Sequence, residues 1–212
     1  AQNTTGVYGV LDAGADFVGQ QMDCVFKDIF PDAVKIGMVS NIETIQMIAA
    51  KLKEYNAKNI VVDPVMVSTS GCALMQISVL LPMGDIITPN IPEAEKLCGF
   101  EIKNVDDMKK AAEVIGRNLS GSVLIKGGHL TETADDLLYH DGEFMWYRGE
   151  RVNNPNTHGT GCTLSSAIAS NLALGYDMKT SEQNAKNYIT GALKDGLDLG
   201  EGSGPLNHCF NL

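Results

Sequence analysis

Four short β-rich runs, Ala33 to Ile36, Asn59 to Val62, Asp85 to Thr88 and Ser122 to Ile125, are each separated from the next by helix-patterned sequence. That alternation restricts the chain to an α/β fold in which parallel strands are joined by crossover helices. The first intervening helix carries Ile45, Ile48, Ala49 and Leu52 on one face, and Ser40-x-x-Glu43 ahead of it reads as a capping box. Asn104 caps a further helix with Met108, Ala111, Ala112, Ile115 and Leu119 facing inward. Thr180-x-x-Gln183 opens another, with Ala185, Tyr188, Ile189, Ala192 and Leu193 at helical spacing. Leu137 to Tyr139 and Phe144 to Tyr147, joined through His140-Asp141-Gly142-Glu143, form a hairpin signal that adds antiparallel strands at one edge. Repeats, low-complexity tracts and linker-like stretches do not interrupt the 212 residues, so a single domain spanning 1–212 is expected.

Composition excludes several function classes. A net charge of -10 with scattered basic residues offers no footprint for nucleic acid or an anionic membrane. The sequence holds five cysteines, Cys24, Cys72, Cys98, Cys162 and Cys209, dispersed and never paired as C-x-x-C. They suggest neither a disulfide framework nor a zinc site, and a reducing cytoplasm fits them best. No apolar run approaches the ~20 residues of a membrane span. Asn3-Thr4-Thr5 and Asn118-Leu119-Ser120 match the glycosylation pattern by chance in such a compartment.

In open parallel sheets, ligands bind beyond the carboxyl ends of the strands. Gly37-Met38 follows the first run, Asp63-Pro64-Val65 the second, Pro89-Asn90 with Glu93 the third, and Lys126-Gly127-Gly128-His129 the fourth. An acid, an amide, a second acid and a lysine therefore converge on one rim. Carboxylates can hold magnesium directly or through water, and a lysine neutralises phosphate oxygens. Each of these residues could alternatively be a solvated turn or a helix cap.

The segment Asn156-Thr157-His158-Gly159-Thr160-Gly161-Cys162-Thr163-Leu164 leads into a helix with Leu164, Ala167, Ile168 and Leu172 inward and Gly175 past its end. Glycines before a helix allow the amides of Gly159, Thr160 and Gly161 to face an anion, with the helix dipole adding to the attraction. Walker-A and Rossmann patterns are both absent. Cys162 falls in the first helical turn, where a thiolate is favoured and a proton can be taken or given. The structural alternative is a buried cysteine beside a tight packing turn.

Together, Ala1-Gln2-Asn3-Thr4, Val34-Lys35-Ile36-Gly37-Met38, Val62-Asp63-Pro64-Val65-Met66-Val67, Thr88-Pro89-Asn90-x-x-Glu93-Ala94, Ile125-Lys126-Gly127-Gly128-His129, the Asn156–Thr163 stretch and the tail Gly204-Pro205-Leu206-Asn207-His208 resemble the hydroxymethylpyrimidine and phosphomethylpyrimidine kinases of the ribokinase-like superfamily. The match is collinear over nearly the whole chain. It implies a three-layer α/β/α fold with a mostly parallel central sheet, helices on both faces and antiparallel edge strands. It further implies ATP-dependent phosphorylation of 4-amino-5-hydroxymethyl-2-methylpyrimidine and of its monophosphate, in thiamine biosynthesis, by a homodimer using ATP and Mg2+.

On this resemblance Gly159, Thr160 and Gly161 stabilise charge on the transferred phosphoryl group. Cys162 stands where many ribokinase-like enzymes place an aspartate base. Asp63, Asn90, Glu93, Lys126 and Thr157 serve the nucleotide, with Asp63 and Glu93 organising magnesium. Gln2 hydrogen-bonds the aminopyrimidine, and Met38 and Val65 line the ring pocket. His129 and His158 flank the site without an implied catalytic role. The resemblance also implies an opening strand and a G-S-D-x-x-G-G-A-G loop that do not precede Ala1. About forty residues are thus expected to be missing on the amino side, and a sheet lacking its central first strand would carry unpaired backbone groups. Pyridoxal kinases share the scaffold and the glycine-rich turn, and the Ala1-Gln2-Asn3-Thr4 stretch favours the pyrimidine kinases. A catalytically silent ligand-binding fragment is the reading from another class.

Overall fold

A computed structural model describes residues 1–65, 76–128 and 134–212. Met66, Val67, Cys72 and His129, named above, lie outside the described residues. The expected α/β alternation is present. The main sheet contains β3 (Val34–Ile36), β4 (Ile60–Val62), β5 (Ile86–Ile87), β6 (Ser122–Ile125), β7 (Asp136–His140) and β8 (Glu143–Tyr147) in that spatial order. β3 through β6 are parallel neighbours, while β6–β7 and β7–β8 are antiparallel. The β7–β8 turn places Asp141 at φ 50° and Gly142 at φ 79°. Positive φ at both central residues is the backbone twist a two-residue hairpin requires.

Period-2 alternation builds the three layers. Ile36, Ile60, Val62, Ile87, Val123 and Ile125 face one side. There they meet α1 (Ala15–Asp28), α2 (Ile42–Glu54), α3 (Ile91–Cys98) and α4 (Val105–Gly116) through Phe26, Ile45, Ala94 and Met108. Val61, Ile86, Leu124 and Leu138 face the other side, against α5 (Thr160–Ala173) and α6 (Met178–Lys194). Each large side chain buried this way, such as Leu52 or Ile168, contributes about 1.5–3 kcal/mol.

Two expected helix starts are displaced. Asn41, not Ser40, caps α2, its Oδ1 accepting from the Thr44 amide at 2.8 Å, while Ser40 Oγ donates to Asp12 at 2.6 Å. Asp177 caps α6 by accepting from the Thr180 amide at 2.7 Å, so Thr180 lies inside the helix. In both cases an Asn or Asp oxygen has the reach to the N3 amide that makes these residues strong caps. The sequence reading also missed α1 and a small hairpin of β1 (Gln2–Asn3) and β2 (Gly6–Val7). Among the described residues, no helix is long and apolar enough to cross a membrane.

Candidate active site

The carboxyl ends of β4, β5 and β6 bring the first group of residues together. Lys126 Nζ donates to Asp63 Oδ1 at 2.8 Å, and Thr88 Oγ1 donates to the same oxygen at 3.3 Å. The Lys126 amide bonds the Pro89 carbonyl at 2.9 Å, and Asn90 pairs with Lys126 in a parallel bridge. Asp63, Asn90 and Lys126 therefore converge as expected. Glu93 is placed differently: its Oε2 accepts from the Asn90 amide at 2.8 Å while Asn90 Oδ1 accepts from the Glu93 amide at 2.9 Å. This is a reciprocal capping box at the start of α3.

The glycine-rich turn faces that rim. A Cβ on Gly161 would come within 3.3 Å of Lys126 Nζ and 3.9 Å of Asp63 Oδ2. Only a hydrogen there leaves room for a third party between the lysine, the acid and the helix end. Gly159 takes φ 82° as the residue before α5. The expected trio of amides is modified, because the Thr160 amide is turned onto the Thr157 carbonyl at 3.2 Å and the Thr160 hydroxyl onto the same oxygen at 2.6 Å. Gly161 and Cys162, in the first turn of α5, have amides with no intrahelical acceptor, so they are left as donors at the start of the helix. Cys162 is exposed, which removes the reading of a buried structural thiol.

The turn is tied from behind by a part of the chain the sequence did not mark as a site. The Asn156 side chain is buried and donates to the Leu197 carbonyl at 3.0 Å, while its Oδ1 accepts from the Gly204 amide at 2.8 Å. His158 bridges Pro205. The tail motif was the available signal for this anchor. On the other side, Gln2 Nε2 and His158 Nε2 lie 3.0 Å apart, so the β1–β2 hairpin puts the Gln2 amide next to the turn. Met38 is 59% exposed past β3 and Val65 is half-buried past β4.

A cavity of about 830 Å3 opens beside this constellation, bounded by Asn90, Lys126, Thr157, Thr160 and Gly161 at one end. Leu164, Ile189 and Leu193 give it an apolar wall, and Arg151, Asn153 and Asn154 a polar one. Its size and mixed lining suit a nucleotide-sized ligand.

Residues 1–207 match the family model described as phosphomethylpyrimidine kinase. The chain belongs to the phosphomethylpyrimidine kinase family. Members of that family are phosphotransferases, and the fold is the ribokinase-like α/β arrangement of its solved neighbours. The hydroxymethylpyrimidine/phosphomethylpyrimidine kinase of Rhizobium meliloti is 44% identical over 98% of this chain and 82% of its own length. That of Bacillus subtilis is 40% identical over 98% and 80%. The thiamine biosynthesis bifunctional protein ThiED of Geobacter sulfurreducens is 45% identical over 98% of this chain, which spans 44% of that longer protein. Among solved structures, the phosphomethylpyrimidine kinase of Clostridium difficile is 46% identical, with TM-score 0.81 over 91% of this chain and 82% of its own. The pyridoxal kinase of Bacillus subtilis, solved as an ADP complex, is 36% identical, with TM-score 0.91 over 98% of this chain and 81% of its own.

Proposed function

We propose that this phosphomethylpyrimidine kinase family member catalyses ATP-dependent phosphorylation of 4-amino-5-hydroxymethyl-2-methylpyrimidine, and of the resulting monophosphate to the pyrophosphate. The observation that carries the reading is the placement of Gly161 against Lys126 and Asp63 at the end of a nucleotide-sized cavity. A triphosphate in the cavity would end where Lys126, the Gly161 and Cys162 amides and the positive end of α5 meet, and these groups take up the negative charge of the moving phosphoryl group. The substrate hydroxyl oxygen attacks the γ-phosphorus, the bond to the ADP oxygen breaks, and the hydroxyl proton passes to Cys162 in its thiolate form, which becomes the thiol. Gln2 would hydrogen-bond the aminopyrimidine, with Met38 and Val65 against its ring.

The donor set suits magnesium carried by the phosphates rather than a dedicated protein cage. Among the described residues no cluster of three His, Cys, Asp or Glu side chains could hold a metal ion, and magnesium commonly keeps its waters and uses one or two carboxylates beside substrate phosphates. Asp63, whose Oδ2 faces the Gly161 turn, would hold it through water; the Glu93 carboxylate is engaged in the cap. When bound, the ion supplies charge neutralisation at the phosphate oxygens.

ADP release measured with the pyrimidine alcohol, its monophosphate and pyridoxal, beside the Cys162→Ala variant, tests the proposal. Turnover of both pyrimidines and a strongly reduced Cys162→Ala rate are expected. Turnover of pyridoxal alone would overturn the substrate assignment, and an undiminished Cys162→Ala rate would remove the thiol from the mechanism.

A further inference from the structure

A second group of ionisable side chains is buried beside the cavity, and two of its members, Asp136 and Lys186, line it. Asp136 opens β7 and is 3% exposed; Lys186, in the middle of α6, is 8% exposed; Glu182, one turn earlier, is fully buried. Lys186 Nζ donates to Asp136 Oδ2 and to the Ala134 carbonyl, the latter at 2.7 Å. Asp136 Oδ1 accepts from the Gly127 amide at 2.9 Å. Asp136 and Lys186 both border the cavity, together with Lys126. A buried ion pair is a weak source of stability, since desolvation offsets most of the attraction. Its presence here fits a geometric duty better.

We propose that the Asp136–Lys186 pair positions the Lys126–Gly128 turn, and through it the phosphate-facing ammonium of Lys126. Gly127 directly follows Lys126, so the bond from its amide to Asp136 fixes the backbone one residue from the lysine. Lys186 holds the Ala134 carbonyl, and the Gly149 amide bonds Asp135 Oδ1 at 2.8 Å. Main chain lies against main chain at these points. A Cβ on Gly127 would fall 1.8 Å from the Asp135 carbonyl oxygen, and one on Gly149 would fall 2.1 Å from that of Ala134. The turn therefore moves only if the start of β7 moves with it, and that start is pinned by Lys186. Glu182 provides no comparable strut, because among the described residues neither of its carboxyl oxygens has a hydrogen-bond partner.

The inference rests on the reading that the cavity takes ATP, and the experiment separates the two. Lys186→Met, Lys186→Arg and the double variant Asp136→Asn/Lys186→Met are compared with the parent in steady-state kinetics. Calorimetric binding of a non-hydrolysable ATP analogue and amide exchange at Gly127 are followed alongside. Because a shift of a positioning group acts on nucleotide placement, KM for ATP in Lys186→Met is expected to rise about tenfold or more, with kcat changed by less than about threefold. Exchange at Gly127 quickens, and arginine restores part of the KM. An unchanged KM in a folded Lys186→Met protein, whatever its Tm, overturns the proposal. Should that variant not fold, the double variant, which strands no charge, is read by the same criteria, and failure of both to fold assigns the pair to stability alone and likewise overturns it. Failure of the parent protein to bind the analogue defeats the nucleotide reading instead.

Discussion

Lys126 Nζ reaches Asp63 Oδ1 at 2.8 Å across the end of an intervening strand, since Asp63 follows β4 and Lys126 follows β6. The Asp63 side chain is 3% exposed and that of Lys126 14%, so the contact is largely withdrawn from water. An ammonium held this way is oriented before any phosphate arrives. Preorganised charge of this kind costs no rearrangement during the reaction.

Lys126→Met should therefore fail in two measurable ways. It leaves a buried Asp63 without its cation, a loss of about 3 kcal/mol expected in denaturant unfolding. It also removes the charge facing the phosphoryl group, and kcat/KM should fall by about 10² or more. A variant that loses stability but keeps its kcat/KM would show that the pair is structural.

Gly159 and Gly161 are needed for different reasons, and alanine separates them. Gly159 sits at φ 82°, so Gly159→Ala should cost about 1 kcal/mol of stability through backbone strain. Gly161 has ordinary helical geometry, but a methyl there would stand 3.3 Å from Lys126 Nζ. Gly161→Ala should keep its Tm within a few degrees and lose most of its kcat. The opposite pattern would place the phosphoryl group elsewhere.

Local periodicity made the sheet, its antiparallel edge and the helices α2, α4, α5 and α6 readable, because alternation of two and 3.6 residues is written into consecutive positions. The helix α1 escaped because it has no side-chain cap and buries only Gly19 and Phe26. Cap identity shifted by a residue or more wherever two candidates stood close together, as at Ser40 and Asn41. Asn90 and Glu93 have the N-x-x-E spacing of a capping box and a cap was open for Glu93 from sequence, but their place after a strand put the nucleotide and magnesium reading first. Asp136 and Lys186 could not be paired from sequence, being 50 residues apart on a strand and a helix with no shared pattern. The Thr160 amide was assigned to the anion because a glycine-rich turn reveals its freedom and not its internal bond to Thr157.

Glu182 should impose a pH dependence on stability. Burial pushes its carboxyl well above the ordinary range and Asp136 pushes the same way, while Lys186 and Lys126 oppose them. The folded state thus binds a proton that the unfolded chain releases near pH 4.3. Above that pH the unfolded state holds fewer protons than the folded one, so stability falls as pH rises until the folded pKa is passed. Glu182→Gln keeps the shape without the titration. Its stability relative to the parent should grow by about 1.4 kcal/mol per pH unit through that window. Parallel curves of unfolding free energy against pH would contradict the assignment.

Glu93 allows cap and magnesium roles to be told apart with two substitutions. Its carboxylate accepts from the Asn90 amide at 2.8 Å, and Asn90 is also paired with Lys126 at the rim. Glutamine supports a capping box as glutamate does, so Glu93→Gln should retain stability while removing the negative charge. Glu93→Ala removes both and should cost about 1 kcal/mol. If the residue acts only by fixing Asn90, Glu93→Gln keeps its kcat and its magnesium dependence, and Glu93→Ala loses activity in proportion to the disorder of the α3 start. If the charge serves the metal, Glu93→Gln requires several-fold more magnesium for half-maximal rate at unchanged Tm. The geometry favours the first outcome, because Glu93 Oε2 already accepts the amide of Asn90, the residue that caps α3.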